Sequence, residues 1–228
     1  MDAVPVALKG LRAGQTGVVV LGRVIMGDIA VTLVDLIQRE LLTVRETADG
    51  GDWLLTLTAG TAARRRPDAL LDYEKRLLDG LSQDGGDSRL SSLAGRFPKV
   101  LEETRKLLVR EAAHRGWLRH LHHDQRTPEG EELAEHVRSF RRDLRRLVAG
   151  GDQAAISGQL LPYALRFGLL SDEQVPLVRF THTWVRAFAH LPGWAPPQPK
   201  RPEYGNDQPL FGKVPPGAGM LAIGAMGW

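Results

Sequence analysis

The sequence predicts a mostly α-helical chain with a minor β component. It reads as two tandem winged-helix-like units, a helical C-terminal portion and a flexible tail. Three observations carry this. Apolar residues recur at helical spacing through most of the first 190 or so positions. Two alternating runs flank Asp49-Gly50-Gly51-Asp52, a hairpin signal. A helix-to-strand junction also occurs twice: Leu36 to Leu42 lines up with Ala112 to Leu118, an offset of 76 residues (112 − 36).

Residues 1–27 are Gly-rich and lack helical periodicity, and Val18 to Leu21 reads as a short strand or buried extended segment. Asp28 reads as a helix N-cap. The run to Leu42 carries apolar residues at 29, 33, 36, 37 and 41, followed by the alternating stretch 43–58. A helix followed by a two-stranded wing defines the first unit, 28–67. The second unit, 68–126, holds a Leu-rich helix over 69–81 and a short helix over 88–97. Its long helix runs from Lys99 to His114 and ends at Arg115-Gly116, before a strand from Trp117 to Leu121. Thr127-Pro128-Glu129 opens a helix that stops at Gly150-Gly151. Within 127–194, Asp152 caps a helix through Leu165 that is interrupted near Leu161-Pro162, and Ser171-Asp172-Glu173 opens another. Trp184 and Phe188 share a face of that last helix and read, with Tyr163 and Trp194, as core aromatics. Residues 195–228 are rich in Pro and Gly and are expected to be extended and largely disordered.

Composition narrows the chemistry. The 228 residues contain no cysteine, which excludes disulfides, thiolate metal sites and a cysteine nucleophile. With 43% hydrophobic and 25% charged residues there is material for a core. The net charge of +3 and a pI near 9.4 describe a mildly basic surface. No targeting signal or membrane-length apolar run is read, so the chain is expected to be cytoplasmic.

Few residues point to a site. Arg138, Arg141, Arg142, Arg145 and Arg146 cluster on one helix, preceded by Glu131, Glu132 and Glu135 at salt-bridging distance in sequence. That face is either a solvated ion-pair lattice or a surface for an anionic partner, nucleic acid or lipid head group. His120, His122 and His123 lie near His114, and a His-x-His pair on a strand suits zinc or nickel. The ligand set is incomplete, however, and no metal is expected. Arg64-Arg65-Arg66 reads as a soluble connection. No phosphate loop, nucleophile elbow or His-Glu-x-x-His motif occurs, and no catalytic or cofactor-binding residue is assigned.

The order of several short motifs resembles a known family. Leu11-Arg12-Ala13-Gly14-Gln15-Thr16-Gly17, then Asp28 to Leu36, Tyr73-Glu74, Leu77-Leu78, Gly116-Trp117, Leu161-Pro162-Tyr163-Ala164-Leu165, Trp184 and Pro192-Gly193-Trp194 resemble the bacterial family classed as domain of unknown function 2207. The likeness covers roughly residues 11–195. Where the family has Arg-Gly-aromatic-Leu, this chain has Arg39-Glu40-Leu41-Leu42. The resemblance implies the cytoplasmic domain of a predicted membrane protein and no activity. Family members carry an extracytoplasmic region and transmembrane helices, and neither is read here. A more distant likeness is to the Golgi phosphoprotein three family of lipid-head-group binders, which shares a helix ending in Arg-Gly and a second Leu-rich helix but lacks Leu-Pro-Tyr-Ala.

The functional expectation is a non-enzymatic protein-binding or scaffolding module, its partner another protein or peptide. The first unit's helix offers Asp35, Gln38, Arg39 and Glu40, and the two acids disfavour phosphate approach. A DNA-binding regulator, an anionic membrane-surface binder and an accessory biosynthetic protein are the alternatives.

Overall fold

The computed structural model describes residues 8, 10–58, 70–82, 87–119, 122–151, 156, 158–171, 175–192 and 194. Over these the chain is mostly helical, with a minor antiparallel β component. A 3₁₀ turn at Ala13–Gln15 leads into α1 (Thr16–Leu21) and α2 (Met26–Gln38). The hairpin β1 (Leu42–Glu46) and β2 (Trp53–Leu57) follows, then α3 (Asp72–Ser82), β3 (Asp87–Arg89), α4 (Leu90–Leu93) and α5 (Pro98–His114). Next come β4 (Leu118–Arg119), β5 (His122–Arg126), α6 (Pro128–Ala149), a 3₁₀ turn at Gly158–Leu160, α7 (Leu161–Arg166) and α8 (Pro176–Phe188).

Helix α2 is the axis of the fold. Ten of its residues, from Met26 to Leu36, are buried, the signature of a helix covered on more than one side. The 3₁₀ turn, α7 and α8 all pack on it. Ile29, Leu33 and Leu36 meet a core that runs continuously from Leu8 to Trp194. The aromatics expected in the core are there. Phe97 meets Trp184 edge-on at 5.7 Å, and Trp53 meets Phe180 at 5.5 Å.

The expected hairpin forms, with Leu42 opposite Leu57 and Glu46 opposite Trp53. Four details differ from expectation. Residues 16–21 are helical, not extended: Gly22, in the left-handed region, closes the turn by donating to the Val18 carbonyl, so this β-branched run is held helical by its cap and its burial. Helix α2 starts at Met26, before Asp28, whose side chain sits in the first turn and accepts from the Ile25 N–H at 2.8 Å. Residues 87–89 form a third strand that pairs with β2, so the first hairpin's sheet takes an edge from the stretch assigned to the second unit. Helix α8 begins at Pro176 rather than at Ser171. Asp152 and the tail 195–228 lie outside the described residues.

The junction seen twice in the sequence has matching backbone geometry. After α2, the Leu41 N–H donates to the Leu36 carbonyl at 3.0 Å, and Glu40 N–H to Ile37 at 2.9 Å. After α5, Trp117 donates to Ala112 at 2.9 Å and Gly116 to Ala113 at 3.0 Å. Both are Schellman turns, and both release the chain into a strand that begins an antiparallel pair. A third copy ends α7, with Leu169 donating to Ala164 and Gly168 to Leu165, each at 3.0 Å. The left-handed position is held by Glu40 (φ 60), Gly116 (φ 75) and Gly168 (φ 64).

Glutamate at that position carries the steric cost that the two glycines avoid. Glu40→Gly is therefore expected to raise stability by about 0.5–1 kcal/mol, the relief of strain less the entropy that glycine loses on folding. The check is a higher urea midpoint with an unchanged slope. Gly116→Glu is expected to move the midpoint the other way.

Candidate functional site

The five arginines singled out in the sequence lie on the second half of α6, where Thr127 caps the helix by accepting from the Gly130 N–H at 3.0 Å. Their charges are unequally free. Arg138 bonds Glu135 at 3.0 Å, Arg142 approaches the same carboxylate at 3.6 Å, and Arg146 bonds Asp143 at 3.0 Å. Arg141 is half-buried; burial lowers its pKa, and the nearby Arg145 and Arg166 lower it further. Arg145 is exposed and has no acidic partner among the described residues. The face is thus largely an internal ion-pair lattice with one outlying cation.

Two buried charge clusters were not evident from sequence. In the first, the Arg166 Nε of α7 donates to Asp28 of α2 at 2.5 Å, with the two side chains 8% and 0% exposed. Burial pushes the Asp28 carboxyl upward, and Arg166 and the Ile25 and Gly17 N–H groups oppose that push. In the second, Glu74 of α3 is buried and accepts from Arg39 Nη1 at 2.8 Å and from the Leu71 N–H at 3.0 Å. Arg12 stands 3.8 Å away. Arg39 also donates to Asp35 at 3.1 Å. Burial raises the Glu74 carboxyl, while burial works against Arg39 and is overcome by Glu74 and Asp35. Beside this cluster the buried Tyr73 hydroxyl has no hydrogen-bond partner among the described residues, and Tyr163 donates to the Leu11 carbonyl.

Outside these clusters lies a cleft of about 240 Å³ between α3 and α5. Asp72 and Tyr73 form one wall, and Leu107, Arg110, Glu111 and His114 the other. Its origin is the way the two helices diverge. At one end Gly80 sits so close to α5 that a Cβ there would fall 2.7 Å from Val100 and 2.9 Å from Phe97. Midway, Arg76 bonds Glu103 at 2.5 Å. At the other end the accessible apolar surface is half-buried Leu107, next to Tyr73, which is almost wholly buried. The four α5 residues are spaced i, i+3, i+4, i+7, the one sequence signal that marks a shared helix face. The facing wall from α3 has no sequence signal of its own.

His120 lies outside the described residues, as do the side chains of His122 and His123. Among the described residues no group of three or more potential ligands lies together, and no helix is long and apolar enough to cross a membrane. The aromatic set of α8 is core, as its complete burial shows. Compared with protein-family models, with curated proteins and with solved structures, the chain matches none.

Two outcomes follow from the ion pairs. Asp28→Asn leaves Arg166 buried without a counter-ion and is expected to cost about 3–5 kcal/mol in chemical denaturation. Asp28→Asn combined with Arg166→Met removes both charges and should recover part of that loss. At the surface, the hydrogen bond from Arg126 holds the Glu131 carboxyl below its ordinary range. Its stabilising contribution is present above the ordinary glutamate pKa and lost as pH falls through the lowered folded-state value. The gap in thermal midpoint between wild type and Glu131→Gln should therefore narrow between about pH 7 and about pH 3.

Proposed function

We propose that this chain is a non-enzymatic protein-binding module, built on two winged-helix-like units, that docks a partner protein at the cleft between α3 and α5. The observation that carries this reading is the division of labour among charged groups. The buried carboxylates Asp28 and Glu74 are both held by arginine and by backbone N–H groups, so their charge serves the framework. The cleft, by contrast, has half-buried Leu107 as its apolar floor, next to buried Tyr73, and a charged rim of Asp72, Arg110, Glu111 and His114. An apolar floor inside a polar rim is the arrangement of a protein-docking point, where one inserted side chain supplies most of the contact. The resemblance to family 2207 fits a cytoplasmic domain that works beside a membrane protein.

A second reading, an anionic surface on α6 for nucleic acid or lipid head groups, rests on Arg145, exposed and without an acidic partner among the described residues. One free cation on a face of ion pairs gives a weak phosphate footprint, since affinity scales with the number of phosphates neutralised.

The two readings separate by cross-linking. A photoreactive residue placed at His114, on the cleft rim, is expected to yield a discrete protein adduct in extract. Excess wild-type protein should suppress that adduct, and excess Leu107→Glu should not. Adducts to nucleic acid or lipid from position 145, with none from position 114, would replace the first reading with the second.

A further inference from the structure

The charges on the cleft rim are not equally available, and the difference specifies what the partner presents. Asp72 lies 3.5 Å from Lys75 on its own helix. Glu111 bonds Arg115 at 2.6 Å, so this acid is answered within the chain. Arg110 is exposed and has neither an ion pair nor a hydrogen bond from its side chain among the described residues. It stands one turn after Leu107 and one turn before His114 on the same face of α5. Among the described residues the rim therefore offers one unanswered positive charge directly beside an apolar floor supplied by Leu107.

From this we infer that the cleft takes an acidic–apolar peptide segment of the partner protein, with an aliphatic side chain on Leu107 and a neighbouring carboxylate on Arg110. This inference rests on the protein-docking reading and deepens it. A guanidinium favours a carboxylate because its planar donor fork matches two oxygens at once. A partner with a basic residue in that place meets Arg110 as a like charge, so the same contact discriminates between partners. The cleft volume, about 240 Å³, accommodates one or two side chains and not a folded surface.

The test uses the full chain, labelled with nitrogen-15, and three capped tripeptides: Leu-Glu-Leu, Leu-Gln-Leu and Leu-Lys-Leu. The Glu peptide is expected to shift backbone amides around 72–73 and 107–114 saturably, with a dissociation constant several-fold below that of the Gln peptide. The Lys peptide should be weakest. Arg110→Glu, an exposed substitution, is expected to invert the order so that the Lys peptide binds best. Leu107→Glu should abolish all three responses while the rest of the spectrum stays native. Equal shifts from the Glu and Gln peptides, an unchanged order in Arg110→Glu, or shifts confined to α6 would each overturn the inference. If it falls while the cross-link from position 114 persists, protein docking stands and the acidic–apolar partner does not. If the cross-link also fails, the docking reading falls with it.

Discussion

Burying an ionised carboxylate costs several kcal/mol unless partners replace the lost water, and the fold is organised around meeting that condition at Asp28. Its partners come from three places: the Ile25 N–H just before α2, the Gly17 N–H in α1, and Arg166 in α7, 138 residues on. Gly17 has no alternative there, because a Cβ would lie 2.0 Å from the carboxylate. One side chain thus fixes the N-terminal segment, the axial helix and the third Schellman turn in mutual register. Other long-range contacts hold the same N-terminal segment. Tyr163 donates to the Leu11 carbonyl, Arg115 to Gly10 at 3.1 Å, and Arg126 to Val20 at 2.9 Å. Each donor comes from a later element, so residues 10–22 are tied down by contacts from distant parts of the chain.

The three Schellman turns share a backbone and differ in what their side chains do. At the first, Arg39 reaches Asp35 one turn back and Glu74 of α3, tying the helix end to the next helix. At the second, Arg115 reaches Glu111 one turn back in the same way, then turns to Gly10 and stacks on Trp117 at 5.2 Å. At the third, the arginine stands one position earlier, as Arg166, and serves Asp28. A repeated local structure has been put to three tertiary uses. The first copy also tolerates a left-handed glutamate where the others have glycine.

How much of this is legible in the sequence depends on whether the cause is local. The hairpin at 42–57 is visible because Gly50-Gly51 and the alternation are both inside it. The start of α6 is visible because Thr127 and Pro128 act within one turn. The strand at 87–89 is not, since Asp87-Ser88-Arg89 has no apolar alternation and exists only by pairing with Leu54 to Thr56. Helix α1 reads as a strand because Val18 to Val20 favour one locally; burial against later elements decides otherwise. The same rule governs the sites. The α6 arginines stand out as a cluster within one helix, and the structure answers most of them with acids of the same helix. The cleft joins residues more than thirty positions apart, so sequence shows only the face on α5.

The position of the cleft follows from the same architecture. Helix α3 follows the first hairpin, and α5 is the helix that carries the second Schellman turn, so the seam between them lies within the stretch 72–114. The seam is tight at Gly80, where no side chain intervenes, and bridged at Arg76–Glu103. It opens where the first turn of α3, already engaged with the Glu74–Arg39 cluster behind it, faces the last two turns of α5. Glu74 draws that end of α3 toward α2, and Arg115 fixes the end of α5 to the N-terminal segment. The two walls are therefore held by different buried or capped groups on opposite sides. Between them the Arg76–Glu103 bridge ties the two helices together, so the cleft is framed by contacts on every side of it.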